Sequence, residues 1–223
     1  MTVLLVLFTF VAFLLIDYFR TRNMVVRPAI EVSAAAEMRP RLQPALVAGF
    51  QVPENLRYHP GHTWALQESP NLVRVGMDDF AAKLTGTVDS FTLPQRGQWI
   101  RQGQKLCTIH RDGSTADMVS PIEGTVADIN EFVAQNPKLA LGDPYGDGWL
   151  LTVQAPDAKT SFRNLIGGAL ARWWTEEASN RLQRRIPLAV GALAQDGGVA
   201  MNDLTAHIPD AEWVPIAKEF FLS

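Results

Sequence analysis

Several residue types that could do chemistry lie in one stretch, LCTIHRDGSTADMVSPIEG, which covers residues 106–124. His110 and Asp112 have the spacing of an acid–base pair, but a pair at the tip of a predicted hairpin lacks a pocket that excludes water. Cys107 is the only cysteine, so an intrachain disulfide and a multi-cysteine metal site are excluded. Asp112-Gly113 favours a two-residue turn in which both residues have positive φ. The stretch therefore predicts a structural hairpin with an exposed tip.

The remaining candidate sites are weaker. His59 and His62 are spaced like two metal ligands, but no nearby carboxylate or thiol completes a ligand set. The loop GDPYGDG, residues 142–148, lacks the ligand spacing of a calcium loop. The chain contains no phosphate-binding Gly-Lys-Ser/Thr loop, no dinucleotide fingerprint and no nucleophile elbow. We therefore predict no enzyme, no metal and no cofactor.

The amino-terminal segment is strongly apolar. Thr2–Ile16 contains no charged residue, and the run to Phe19 is about 27 Å long as a helix, enough to cross a bilayer. A cleaved signal peptide is the alternative, but such peptides carry positive charge before the apolar run. Here Arg20 and Arg22 follow it. We predict a transmembrane anchor over residues 1–19, in a bacterial inner membrane, with the bulk of the chain cytoplasmic.

Composition divides the rest of the chain into three regions. Residues 20–55 are rich in proline and alanine and predict a linker. Residues 56–155 show short extended runs separated by turns, which favours a mainly β, mostly antiparallel barrel or sandwich rather than a parallel sheet. The runs are residues 72–77, 86–93, 105–110, 116–121 and 124–129. Gly97 and Gly103 predict a tight crossing with little room for side chains.

Residues 156–223 predict a helical extension. Between Lys159 and Ile186 apolar residues recur at helical spacing, with Trp173 and Trp174 on the predicted apolar face. This helix carries six basic and two acidic residues, and the tail after it is acidic, so we expect the two segments to fold back on each other. The tryptophan face either packs on the barrel or contacts a membrane surface or partner.

Three motifs occur in a defined order. They are YHPGHTWA at residues 58–65, VRVGMDDFAAKLTGTVDSFTLPQRG at residues 73–97, and NPKLALGDPYGDGWL at residues 136–150. In this order they resemble the H-protein of the glycine cleavage system. The resemblance implies a lipoyl-domain-like hammerhead barrel made of two small sheets.

Members of that family carry lipoic acid on a lysine at a hairpin turn. When the two sequences are aligned on Asp117 and Ser120-Pro121, Gly113 takes the place of this lysine and His110 takes the place of its acidic neighbour. A glycine has no amine to form the amide. The resemblance therefore implies a barrel that cannot be lipoylated at the usual position, and no cofactor is expected.

From these features we predict a non-catalytic, membrane-anchored accessory or scaffold subunit of a membrane protein complex. The bilayer is the partner of residues 2–19, and other subunits contact the tip and the helix through His110, Arg111, Asp112, Trp173 and Trp174. The net charge of −3 gives no support for a nucleic-acid partner. Two alternatives remain: a regulator or mimic of lipoate-dependent enzymes, and an atypical lipoyl carrier modified elsewhere, for example at Lys105.

Overall fold

The computed structural model describes residues 44–185, Ala200, Leu204 and residues 210–222. The predicted anchor, most of the predicted linker and the first part of the acidic tail lie outside these residues. None of the helices in the described part is both long and apolar enough to cross a membrane.

The larger sheet is antiparallel throughout and has six strands. Its spatial order is β3-β4-β5-β11-β10-β7. These strands are Arg57–His59 (β3), Thr63–Ser69 (β4), Leu72–Met77 (β5), Leu151–Gln154 (β11), Gly124–Ile129 (β10) and Trp99–Ile100 (β7). The antiparallel pairing confirms the prediction of a mainly β, antiparallel domain.

A second sheet has three strands and carries the hairpin. Its order is β6-β8-β9, with β6 at Ser90–Thr92, β8 at Lys105–Arg111 and β9 at Ser114–Val119. One continuous core joins the two sheets: Val75 and Val153 from the larger sheet pack in the same cluster as Ile109 and Met118 from the smaller one. The two sheets therefore belong to one domain with one core.

Residues 44–53, the last part of the predicted linker, form a separate antiparallel hairpin. Its strands are Pro44–Val47 (β1) and Phe50–Pro53 (β2). The turn residues Ala48 and Gly49 have φ values of 49° and 86°, as a two-residue hairpin turn requires. The order of this region comes from tertiary contact, because the ring of Phe50 lies 5.0 Å from that of Phe80 in the barrel core.

Helix α1 spans Asp79–Thr85, where the sequence MDDFAAKLTG predicts a short helix capped by Asp78 or Asp79 and ended by Gly86. Asp78 caps its first turn by accepting a hydrogen bond from Ala81 N at 2.8 Å, and Gly86 ends it with φ of 69°. Lys83 is 4% exposed and donates to Asp79 Oδ2 at 2.6 Å. The same carboxylate accepts from Gln51 N at 2.7 Å, so a buried ion pair attaches the β1–β2 hairpin to the helix.

The carboxy-terminal region contains more than the one long helix predicted. After the short helices Glu131–Gln135 (α2) and Lys138–Gly142 (α3), the chain forms Ala158–Arg163 (α4), Gly168–Arg185 (α5) and Asp210–Phe221 (α6). The break between α4 and α5 covers residues 164–167, and α5 begins at Gly168, which has φ of 57°. Ile166 in this break pairs with Tyr58. The apolar periodicity of the sequence runs across these residues, so it did not indicate the break.

Gly97 and Gly103 serve a different purpose from the one predicted. A Cβ atom added at either residue would meet nothing within 4 Å, so crowding does not require glycine there. Their φ values are 83° and 75°, in the left-handed region that side chains disfavour. The backbone conformation, and not the available space, explains these two glycines.

The carboxylate of Asp78 makes two contacts, and substitution of this residue tests how much they contribute to stability. Its Oδ1 caps α1, and its Oδ2 lies 2.8 Å from Nδ1 of the buried His62. We expect Asp78→Ala to lower the free energy of unfolding by about 2–4 kcal/mol, since it removes a cap and leaves a buried polar group without a partner. Asp78→Asn retains a cap acceptor and should cost less. Urea unfolding of both variants measures the difference, and equal costs would show that the cap does not contribute.

Candidate functional site

The tip of the β8–β9 hairpin is a two-residue turn. Asp112 and Gly113 have φ values of 46° and 76°, between the paired residues Arg111 and Ser114. This confirms the predicted turn geometry. Asp112 N donates to Asp89 Oδ2 at 2.8 Å, which fixes the turn against the loop before β6. A Cβ atom on Gly113 would meet nothing within 4 Å, so the turn projects into open space.

One face of the tip sheet is polar. His110 Nε2 lies 2.7 Å from Thr92 Oγ1 across the β6–β8 pair. Lower on the same hairpin Asp117 accepts from Thr108 Oγ1 at 2.7 Å and pairs with Lys105 Nζ at 2.9 Å. Partial burial opposes the ionisation of Asp117, but the hydrogen bonds from Lys105 and Thr108 outweigh it and lower the pKa of its carboxyl. Each of these side chains has a partner within the sheet, which favours a structural role.

Arg111 is not exposed at the tip, contrary to the sequence prediction. It is 8% exposed, donates from Nη1 to the carbonyl of Thr85 at 2.7 Å, and lies over the ring of Trp213 at 5.5 Å. Trp213 belongs to α6, which packs along β9. The carboxy-terminal helix therefore covers Arg111, and of the three predicted contact residues at the tip only His110 and Asp112 are accessible to solvent. The pattern of the β8–β9 segment contains no sign of this cover.

The two tryptophans of α5 face in different directions. Trp174 stacks on His62 with ring centroids 4.5 Å apart and lies 6.3 Å from Tyr58. Trp173 is 62% exposed. The prediction that placed both on one apolar face is wrong, because the buried face of α5 consists of small residues on either side of Trp174. These are Ala171, Thr175, Ala178 and Ser179, with Leu182.

The two histidines of the YHPGH motif have structural partners. His59 Nδ1 accepts a hydrogen bond from Gly61 N at 3.0 Å. Burial lowers the pKa of His59, and the nearby His62 lowers it further by a smaller amount. His62 is fully buried between Phe80 and Trp174, with ring centroids at 4.1 and 4.5 Å. Across the described ranges no group of three His, Cys, Asp or Glu side chains has an arrangement that could hold a metal ion.

The GDPYGDG loop and Cys107 also have structural surroundings. The carboxylate of Asp143 accepts from Gly146 N and Asp147 N at 3.1 and 2.9 Å, which stabilises the GDPYGDG loop. Cys107 is buried, and burial raises the pKa of its thiol to about 12, so a thiolate nucleophile is suppressed at neutral pH. A shallow pocket of about 190 Å³ between Trp99 and Thr160 brings together no reactive group beyond Glu123 and Asp157.

Sequence reasoning missed three features that shape this site. The β1–β2 hairpin had a usable signal in Ala48-Gly49 between the apolar runs PALV and FQVP. The i,i+4 spacing of Asp79 and Lys83 was a signal for their ion pair, but nothing local indicated its burial. No signal in the sequence linked Trp213 to Arg111.

The fold and the site together define a small antiparallel β domain that projects a tight hairpin turn. The family model of the glycine cleavage H-protein matches residues 56–175. The glycine cleavage system H protein of Mycobacterium avium is 36% identical over 107 residues, which cover 48% of this chain and 81% of that protein. A probable glycine cleavage system H protein of Aeropyrum pernix is 34% identical over 113 residues, covering 50% and 78%.

A crystal structure of the glycine cleavage system H protein of Mycobacterium marinum aligns with a TM-score of 0.49 and 24% identity, covering 56% of this chain and 98% of that one. From the family model and the sequence relatives, the chain belongs to the glycine cleavage H-protein family. The helix α6 and residues 1–55 lie outside the matched range.

The turn geometry predicts how the tip tolerates substitution. We expect Gly113→Ala to cost about 1–2 kcal/mol of unfolding free energy, since an L side chain must adopt positive φ there, although no steric clash occurs. The matched control is Gly142→Ala in α3, where space is also open and φ is not positive. That variant should be neutral or more stable by up to about 1 kcal/mol. Equal losses in thermal or urea unfolding would contradict the assignment.

Because α6 covers Arg111 and β9, we expect substitutions of Trp213 and Trp173 to differ in their effect on stability. Trp213 is 3% exposed, and Trp213→Ala should cost about 3–5 kcal/mol. Trp173→Ala should change stability by no more than about 0.5 kcal/mol, because that side chain is mostly in solvent. Hydrogen exchange should also show faster exchange in β9 for Trp213→Ala. Unchanged β9 protection would show that α6 does not stabilise the hairpin.

Proposed function

We propose that this protein is a non-catalytic accessory or scaffold subunit of a membrane complex, which presents an H-protein-like domain without a lipoyl group at its tip. The observation that carries the proposal is Gly113 in the centre of the β8–β9 turn. Its backbone has φ of 76° and its surroundings are open. The position that the family resemblance aligns with the modified lysine therefore has no amine that could form the amide, and the tip does not fit a lipoyl group.

The strand register supports this alignment. Arg111 pairs with Ser114, Ile109 with Ala116 and Thr108 with Asp117, without a shift along the arms next to the turn. The irregularity in this pair lies between Lys105 and Cys107, at the far end. A slip that would place another residue at the tip would need a different turn.

Lys105 is a poor substitute for a lysine at the tip. It pairs with Val119 at the open end of the hairpin, and its ammonium binds Asp117 at 2.9 Å. It is the only lysine between residues 105 and 119. A group attached there would leave from the base of the hairpin and not from its tip.

The apolar amino-terminal run supports the membrane part of the proposal. Residues 2–16 carry no charge, and arginines follow the run, which favours an inner-membrane anchor with the bulk of the chain cytoplasmic. An anchor raises the effective concentration of a domain at one place. That property suits a subunit of a fixed complex better than a carrier that must visit several enzymes.

A regulator or mimic of lipoate-dependent enzymes is the second candidate. The family match over residues 56–175 together with a glycine at the tip favours it, because a domain of the same outline could occupy a docking surface without delivering a group. In that case the chain would bind such enzymes in competition with a lipoylated H protein.

Intact-mass measurement of the detergent-purified full chain, coexpressed with a lipoate ligase, tests the proposal. We expect the natural chain to stay unmodified, with membrane subunits co-purifying in fixed ratio. Gly113→Lys is the matched control, since the open turn leaves room for the side chain at a cost of about 1–2 kcal/mol, and its modification would show that the ligase accepts this domain. A lipoyl mass on the natural chain would overturn the proposal. An unmodified chain bound only to lipoate-dependent enzymes would favour the mimic.

A further inference from the structure

The outer side of α5 carries two large apolar residues one turn apart. Leu170 is 56% exposed and Trp173 is 62% exposed. Residues three apart lie next to each other on a helix surface, so the two side chains form one exposed patch. The buried side of the helix is complete without them, because Ala171 and Trp174 fill the contact with the domain.

The neighbouring β1 strand carries a third exposed apolar residue, Leu46. The strand lies against α5, and Val47 packs in the same small cluster as Trp174. Leu46, the neighbouring residue, points to the opposite face of the strand and is 48% exposed. The first described strand of the chain thus adjoins the helix that bears the apolar patch.

The chain that precedes β1 suggests what covers this surface. Residues 20–43 separate the predicted anchor from β1 and reach at most roughly 80 Å when fully extended, so an anchored domain stays close to the bilayer. Five arginines and two glutamates lie in this stretch, and such a basic segment is attracted to anionic lipid. Among apolar side chains, tryptophan in particular suits the interface between lipid and water.

We propose that Leu46, Leu170 and Trp173 rest on the surface of the membrane that holds the anchor. This inference rests on the membrane part of the proposed function. On α5 itself, Arg172 pairs with Glu54 and Arg184 pairs with Glu177. Apolar contact therefore holds the face to the bilayer, and the basic linker and the anchor supply proximity.

The single buried cysteine makes a direct test practical. Cys107 is 1% exposed, so a cysteine introduced at Leu170 or Leu46 is the one that a thiol-reactive, polarity-sensitive fluorophore labels in the folded chain. The full chain is reconstituted in nanodiscs of phosphatidylcholine with phosphatidylglycerol, and carbonate extraction reports on the anchor independently. Lys138→Cys, at an exposed residue of α3, is the control position.

We expect blue-shifted emission from labels at 170 and 46 and quenching by lipid-borne quenchers, with neither change at 138. Trp173→Glu should reduce the blue shift of the label at 170.

If the chain resists carbonate extraction but its label at 170 behaves like the label at 138, this inference is overturned and the prediction of an anchor is unaffected. If the chain is extracted by carbonate yet the label at 170 still shifts on added vesicles of the same lipids, the surface stands and the anchored function fails. A label buried only in the presence of a co-purifying protein would assign the face to that protein and overturn the inference.

Discussion

The packing of the buried His62 imidazole is the interaction on which the rest of the structure depends. Its ring has no exposed surface, and it lies between Phe80 of α1 and Trp174 of α5, with Phe220 of α6 6.0 Å away. Asp78 fixes the orientation of the ring through Nδ1, and the same carboxyl group caps α1. The other ring nitrogen, Nε2, is buried and has no hydrogen-bond partner among the described residues. One side chain thus ties the β3–β4 turn to three helices.

Helix α6 buries one side of the β8–β9 hairpin. The range matched by the family model, residues 56–175, does not include this helix. Here Ala217, Phe220 and Phe221 are fully buried in the core that the two sheets share, and Trp213 covers Arg111. The exposed ion pair between Arg185 and Glu219, at 2.7 Å, confirms that the basic and acidic segments fold back on each other. Exposed pairs contribute at most about 1 kcal/mol, so apolar burial by α6 is the larger effect.

The tip, by contrast, is stable through its own backbone. Two residues with positive φ close the turn, and the amide of Asp112 binds Asp89. Nothing crowds Gly113. A hairpin of this kind is maintained whether or not its tip carries a group.

The sequence by itself determined the antiparallel β domain, the caps of α1, the two-residue turn and the family, because turn chemistry, caps and the alternation of apolar residues are local properties. Only the tertiary structure decided that Arg111 is buried, that Trp173 and Trp174 face opposite environments, and that residues 44–53 are a hairpin. Each of these depends on a contact between segments distant along the chain: Arg111 with Trp213, Trp174 with His62, and Phe50 with Phe80. Helical periodicity predicted that α5 is amphipathic, but small residues such as Ala171 and Thr175 pack as closely as large ones. The direction that the helix faces was therefore set by the shape of the surface beneath it.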